Sequence, residues 1–286
     1  MSWRNCARRV SEEQVPDVSQ MTLRLPLRVS LRVGQRAFRL TGDDRDRSVV
    51  QPIRQKGTYE RHVQIALMRC LRVGDCAVDV GANIGVHSIL MSRLVGAAGA
   101  VYCYEASAVN VAYLDRNLAL NACRNVVVEQ VGVWDVPAEL EFSFVEEVAG
   151  CSFFSPAGVR EGTLERVASR PLDELLRSVR RVQLIKIDVE GAEMRVLQGA
   201  RETLAGQRPV LLVEFNPQVA ARFFDSAIDD LYDLLRTLNY SVAWLPPDAS
   251  EVPLPNHAAL HAVFARPGIE WIDTICRPVD ARTGSE

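Results

Sequence analysis

The chain has 286 residues, 48% of them hydrophobic and 24% charged, with a formal net charge of −3. That balance supplies a core for one large or two ordinary domains and excludes disorder, which needs less apolar content at higher net charge. It also excludes the basic surplus of a chain that tracks nucleic-acid phosphates, and no apolar run reaches the roughly 18 residues of a membrane span.

Residues up to about Asp17 show no useful periodicity, and Met1–Gln20 has no apolar stretch of the kind that marks a secretory signal. Within Leu23–Leu40 the apolar residues Leu27, Val29, Leu31 and Val33 alternate with polar ones, which predicts a strand or hairpin. Thr41–Arg47 is a polar loop, and a helix is expected from Thr58, its N-cap, with Val63, Leu67 and Leu71 as the buried stripe. This divides the chain into an N-terminal arm with a β-element over 1–57 and an α/β domain over 58–286, with an insertion at about 136–169.

After the turn at Gly74-Asp75, strands and helices alternate. Strands are expected at Ala77–Val80, Ala100–Tyr104, Asn125–Gln130, Gln183–Ile187 and Val210–Phe215. Helices are expected at Val86–Leu94, through Val109–Leu118, and at Pro171–Val179, Met194–Leu204 and Ile228–Leu238. Leu140–Val145 alternates and pairs with Cys151–Phe154 or with Leu164–Ala168. Ser241–Leu245 and His261–Ala265, joined by the Pro-rich loop Pro246–Asn256, read as a closing antiparallel hairpin. The fold class is therefore α/β, a doubly wound, mostly parallel sheet covered on both faces.

The most informative stretch is Asp79-Val80-Gly81-Ala82-Asn83-Ile84-Gly85, between a strand and a helix. Glycines in such a turn allow close approach of a ligand to the backbone, and the helix that follows presents free N–H groups. Glu105, at the end of the next strand, stands where a carboxylate accepts hydrogen bonds from ribose hydroxyls. A dinucleotide fingerprint reads G-x-G-x-x-G, whereas here the spacing is G-x-x-x-G with Asn83 between the glycines. Asp79 would repel a pyrophosphate but accept a hydrogen bond from an ammonium group, which favours S-adenosylmethionine over NAD. Read without a ligand, the same residues make a tight turn of any doubly wound fold.

Lys186-Ile187-Asp188-Val189-Glu190-Gly191-Ala192-Glu193 is a second cluster, an apolar strand running into an acidic turn and a helix. In a doubly wound sheet this strand lies beside the first, so Asp79 and Asp188 face one crevice at the topological switch point. Glu190 and Glu193 also sit where a helix N-terminus stabilises carboxylates.

At these residues the chain resembles the FkbM family of S-adenosylmethionine-dependent methyltransferases. The likeness lies in Asp79–Gly85, Glu105, Arg170-Pro171-Leu172-Asp173-Glu174-Leu175, Lys186–Glu193, Val196-Leu197-Gln198-Gly199-Ala200, Val213-Glu214 and, upstream, Gly57-Thr58-Tyr59-Glu60. It spans about Ile53 to Phe264 and departs in one place, where Ala106-Ser107 follows the ribose-site acid in place of the usual proline. The resemblance implies a Rossmann-like, class I methyltransferase sheet of seven strands. It also implies S-adenosylmethionine as cofactor and O-methylation of a small-molecule hydroxyl acceptor, on a sugar, polyketide or other secondary metabolite. Neither nucleic acid nor a membrane is expected as partner.

The expected cofactor residues are Tyr59, Glu60, Asp79, Gly81, Ala82, Asn83, Gly85, Glu105 and Asp188. Glu60, one turn into its helix, reads either as a partner of the methionine moiety or as a first-turn acid complementing the helix dipole. Asp188 is the first candidate base for the acceptor proton. His87 is a second, or else a helix-surface histidine; Glu214 is a third, or else a carboxylate fixing a loop, with Asn216 beside it. Asp188 and Glu214 offer no clear third ligand, so no metal is expected. Phe142, Phe144, Phe153 and Phe154 give the insertion aromatic content for an apolar acceptor or for a small cluster of its own. A nucleotide-dependent oxidoreductase and a non-catalytic cofactor-binding module are the alternatives. Seven cysteines, none in a Cys-x-x-Cys pair, read as reduced thiols of a cytoplasmic protein.

Overall fold

The structure, a computed structural model, describes residues 27–33, 36–144, 153–154, 163–179, 181–224 and 226–279. The described residues begin with an antiparallel hairpin, β1 (Leu27–Val33) and β2 (Arg36–Gly42), followed by α1 (Val50–Lys56) and α2 (Arg61–Cys70). Next come β3 (Cys76–Val80), α3 (Val86–Val95), β4 (Ala100–Glu105), α4 (Ala108–Leu120) and β5 (Val126–Gln130). The insertion carries β6 (Gly132–Val133), β7 (Ala138–Phe144), β8 (Phe153–Phe154) and β9 (Thr163–Arg170). After it lie α5 (Leu172–Leu175), β10 (Leu184–Ile187), α6 (Glu193–Gln198), α7 (Arg201–Gln207), β11 (Val210–Phe215), α8 (Pro217–Phe224) and α9 (Ile228–Thr237). The last elements are β12 (Tyr240–Trp244), β13 (Val252–Pro253), α10 (His257–Phe264) and β14 (Ile272–Pro278).

The main sheet has the order β13-β12-β14-β11-β10-β3-β4-β5: seven long strands and the two-residue β13. Strands β11, β10, β3, β4 and β5 are parallel, while β14 runs antiparallel between β11 and β12. The main sheet starts at β3, builds outward through β4 and β5, then crosses back to place β10 on the other side of β3. That reversal is the topological switch point where doubly wound sheets open a crevice.

Each face buries its own cluster. Ala77, Leu184, Leu212 and Ile275 point to one side with Phe38, Leu40, Ile53, Leu67, Ile89 and Leu114 from β2, α1, α2, α3 and α4. Val78, Val80, Ile185, Ile187 and Val213 point to the other, against Val196, Leu204, Leu235 and Leu260 from α6, α7, α9 and α10. Asn117 on α4 ties the hairpin down: its side chain accepts from Thr41 N at 2.7 Å and donates to Thr41 O at 2.9 Å.

The insertion forms a second sheet in the order β6-β9-β7-β8, so β7 pairs with both segments that the alternation left as alternatives. The side chains of Phe142, Phe144, Phe153 and Phe154 lie outside the described residues. No helix among the described residues is long and apolar enough to cross a membrane.

Four expectations change. His261–Ala265 belongs to α10, capped by the Asn256 side chain on Ala259 N, and the strand that closes the sheet is β14. Its Ile-Asp-Thr-Ile-Cys run does not alternate apolar with polar residues, so it carries no local strand signal. The helix expected from Thr58 starts at Arg61 with Glu60 as N-cap, and the Thr58 hydroxyl is buried without a partner. The expected Met194–Leu204 helix is two, α6 and α7, broken at Gly199, where a Cβ would stand 2.2 Å from Trp134 O. Finally, Pro171–Val179 shortens to the single turn of α5.

Candidate active site

Strand register decides which side chains meet. Asp79 on β3 pairs with Lys186 on β10, and Lys186 pairs with Leu212 on β11. Two residues further on come Gly81, Asp188 and Glu214, with Glu214 opposite Asp273 on β14. Asp188 N still bonds Val80 O at 3.1 Å, so the ladder continues that far. Side chains alternate with period two. Asp188, Glu214 and Asp273 therefore stand in one row along the carboxyl edge, with Lys186 and Asp79 one rank below on the same face.

Gly81 sits at the β3 end of that row with φ +77, and a Cβ on it would come 1.8 Å from Asp188 O. A glycine here is what lets the turn close against the neighbouring strand. Beneath it Asp79 is 1% exposed; its Oδ2 accepts from Ser88 Oγ at 2.6 Å and its Oδ1 is buried with no hydrogen-bond partner. Lys186 Nζ lies 2.8 Å from Asp188 Oδ2 and 4.0 Å from Asp79 Oδ1. Burial works against the Lys186 charge, but Asp188, Asp79 and Glu60 outweigh it and hold the ammonium well above its ordinary range.

Glu105, at the tip of β4, accepts from Asn83 N at 2.7 Å through Oε2, and from Ser107 N at 3.0 Å and Asn110 Nδ2 at 3.4 Å through Oε1. One carboxylate thus fixes both the glycine turn and the start of α4. Burial raises its pKa, opposed by those same donors. Two carboxylate oxygens offer about four acceptor positions, and with three in use one remains, on Oε2, for a ribose hydroxyl.

Glu60 and His87 close the crevice from the α2 side. Glu60 is the N-cap of α2 at φ 40, so the expectation of a glutamate one turn inside a helix gives way to a capping residue in the left-handed region. Its Oε2 lies 2.7 Å from His87 Nε2, and the Tyr59 ring packs 5.9 Å from the imidazole. His87 is 5% exposed, with Nδ1 buried and unpartnered, which replaces the helix-surface reading. The glycine turn brings the α3 start under Glu60, so a position that is outward in an isolated helix becomes interior.

Burial, then the neighbouring carboxylates of Asp188, Glu190 and Asp273, push Glu214 well above its ordinary range. Glu190 is raised likewise, by burial and by Asp188. Glu193 accepts from Val189 N at 3.0 Å and Gly191 N at 3.2 Å; burial raises it to about 7. It holds the turn after Asp188 and does not join the row. Asn216 is 3.4 Å from Glu214 Oε1 and caps α8 through Val219 N at 3.3 Å.

The acid excess beside the glycine turn suits a cationic ligand. Asp79 Oδ1, which lacks a partner, could accept from an ammonium, Glu105 could accept from a ribose hydroxyl, and Glu60 and Asp188 could face a sulfonium. A pyrophosphate would meet the Asp79 carboxylate, with the nearest ammonium already engaged by Asp188. The cofactor is S-adenosylmethionine, and these residues could hold it at the carboxyl edge of the Rossmann-like sheet.

The methyltransferase FkbM domain matches residues 79–242, more than half of the chain, and the chain belongs to that family. Among curated relatives, methyltransferase sdnD of Sordaria araneosa is 30% identical over 156 residues, covering 44% of this chain and 60% of its own length. Methyltransferase 1 of Beauveria bassiana is 24% identical over 163 residues, 48% of this chain and 65% of its own length. The chain thus spans less than two thirds of either relative. The crystal structure of methyltransferase FkbM from Methylobacillus flagellatus KT superposes with a TM-score of 0.45 at 15% identity, covering 75% of this chain and 50% of that one.

Three residues of the site escaped the sequence reading. Lys186 was quoted within its motif without a role, although it is one of only two lysines among thirty-three basic residues. His62 and Asp273 are joined, Nε2 to Oδ2, at 2.6 Å across 211 positions. Nothing local could link them, and Asp273 lay beyond the strand taken as the last.

Proposed function

We propose that the protein transfers a methyl group from S-adenosylmethionine to a hydroxyl oxygen of a neutral or cationic small molecule of secondary metabolism, such as an antibiotic precursor bearing a sugar or polyketide hydroxyl. The observation that carries this reading is the row Asp188–Glu214–Asp273 at the carboxyl edge, whose neighbouring ammonium, Lys186, is already engaged by Asp188 and so is not free to hold a phosphorylated or carboxylated acceptor. When bound, the cofactor supplies an already activated methyl on a sulfonium. The chain's task is then alignment of acceptor oxygen, methyl carbon and sulfur, and positioning of this kind is worth effective molarities up to roughly 10⁵–10⁸ M.

Asp188 neutralises Lys186 and fixes its ammonium; Asp79 and Glu105 orient the two ends of the cofactor, and Glu60 with His87 closes the methionine side. An oxidoreductase reading asks the same crevice to take a pyrophosphate, which Asp79 opposes. Free thiols at Cys70, Cys76, Cys103, Cys123 and Cys276 support a reducing, cytoplasmic setting. The test pairs thermal shifts with S-adenosylhomocysteine and NAD with mass spectrometry on a panel of neutral, cationic and anionic hydroxyl acceptors. Stabilisation by the first ligand alone and methylation confined to non-anionic acceptors are expected. Stabilisation by NAD, or turnover of anionic acceptors only, would sink the proposal.

A further inference from the structure

We propose that His62, oriented by Asp273, is the base that takes the proton of the acceptor hydroxyl; this rests on the hydroxyl-acceptor reading above. The other candidate groups are occupied. Asp188 is ion-paired to Lys186 at 2.8 Å. His87 uses Nε2 on Glu60 and has Nδ1 sealed from solvent. Glu214 is flanked in its row by Asp188 and Asp273, and burial with those charges raises its pKa well above the ordinary carboxylate range, which disfavours the ionised form a base needs.

His62 differs in both respects. It lies two residues after Glu60, in the first turn of α2, above the face that carries the row. Its Nε2 lies 2.6 Å from Asp273 Oδ2, and donation to that carboxylate puts the proton on Nε2 and the lone pair on Nδ1. Nδ1 has no hydrogen-bond partner among the described residues and is not among the buried unpartnered atoms; the side chain is 19% exposed. Asp273 is 15% exposed and stands opposite Glu214 at the carboxyl edge. A histidine held by a carboxylate, with its second nitrogen free of protein partners, is the arrangement of a general base.

In the step, the acceptor O–H bond breaks and its proton passes to His62 Nδ1. The oxygen electron pair forms the new O–C bond, and the pair of the broken C–S bond stays on sulfur, leaving S-adenosylhomocysteine. The imidazolium returns its proton to solvent. The charges facing His62 are Asp273 from β14, Glu60 from the turn before α2, and, behind Asp273, Glu214 and Asp188 from the ends of β11 and β10. Burial lowers the imidazole pKa, but Asp273 and then Glu60 outweigh it and raise it above the ordinary 6.5. A base works in its neutral form, so the rate rises with pH through a midpoint above that value.

The experiment uses the full chain loaded with S-adenosylhomocysteine for nitrogen NMR of His62, and with S-adenosylmethionine and a methylated acceptor from the panel for pH–rate profiles. Expected are an Nε2–H tautomer at high pH and a rate limb matching the NMR midpoint. His62→Gln should lower kcat by about 10²–10⁴-fold and abolish the limb, with cofactor Kd unchanged. Asp273→Asn, which keeps the histidine but removes the carboxylate, should move the limb to lower pH and lower the rate. It also serves should His62→Gln fail to fold. An Nδ1–H tautomer, or a His62→Gln enzyme with the wild-type limb and rate, overturns the assignment. A wild-type chain that methylates no hydroxyl while showing the expected tautomer overturns the hydroxyl-acceptor reading, and the role of base goes with it.

Discussion

Glu60 Oε2 lies 2.7 Å from His87 Nε2, which fastens the N-cap of α2 to the first turn of α3. The two helices flank the crevice, so this one contact fixes its width on the methionine side. A non-glycine residue in the left-handed region costs of order 1–3 kcal/mol, and Glu60 is held there by this bond. Burial pushes the Glu60 carboxyl up, yet the His87 hydrogen bond and the His87 and Lys186 charges bring it down to about 2. A depressed carboxyl contributes stability that is present above its unfolded value of 4.5 and lost as pH falls toward 2. Glu60→Gln should therefore flatten the acid limb of denaturant-measured stability between those pH values, by at most about 3 kcal/mol.

Asp188→Asn tests the ion pair. Lys186 is 4% exposed, and without the Asp188 charge its nearest partner is Asp79 at 4.0 Å. Breaking a buried pair costs about 3–5 kcal/mol, with the hydrogen-bonding asparagine toward the lower end. Stability in chemical denaturation and cofactor affinity in calorimetry should fall together. A variant that loses turnover alone would make Asp188 the base and remove that role from His62.

Glu105→Ala should weaken S-adenosylmethionine binding by about 10–100-fold, the worth of one charge-assisted hydrogen bond at roughly 1.5–3 kcal/mol. The structure adds a second consequence: Asn83 N and Ser107 N lose their acceptor, so Tm should drop as well. Glu105→Gln, which retains an acceptor oxygen, should recover Tm more than affinity. Calorimetric titration with the unchanged wild-type Kd in a folded variant would refute the ribose assignment.

Gly81→Ala places a methyl 1.8 Å from Asp188 O, backbone against backbone, at φ +77. Neither atom is the end of a flexible side chain, so the turn itself must move. The expected result is loss of cofactor binding together with a lowered Tm, by thermal shift with and without S-adenosylhomocysteine.

Truncation separates the arm from the hairpin. Removing Met1–Ser19 should leave folding and cofactor binding intact. Removing Met1–Leu40 takes away Phe38 and Leu40, buried in the cluster that holds Ile53, Leu67 and Ile89, and the partners of Asn121 at Arg39 N and O. That truncation should lower Tm and abolish methyl transfer. If it melts and turns over like the full chain, the hairpin is an independent appendage.

The sequence by itself determined what depends on near neighbours. The apolar runs Ala77–Val80 and Val210–Phe215, the Gly81–Gly85 turn and the acid at 105 are local patterns, and they sufficed for the parallel sheet, its switch point and the cofactor. Tertiary structure decided what depends on partners far along the chain. His261–Ala265 is helical because its apolar residues pack on α9 and β12 through Leu260 and Val263, while β14 earns its place only by pairing with β11 and β12. The ionisation of the acids was equally out of reach. Asp188, Glu214 and Asp273 are the same functional group in sequence, but register sets one beside a buried ammonium, one between two carboxylates and one against an imidazole. A carboxyl group's charge is fixed by the solvent and the charges around it, and those surroundings exist only once the strands have paired.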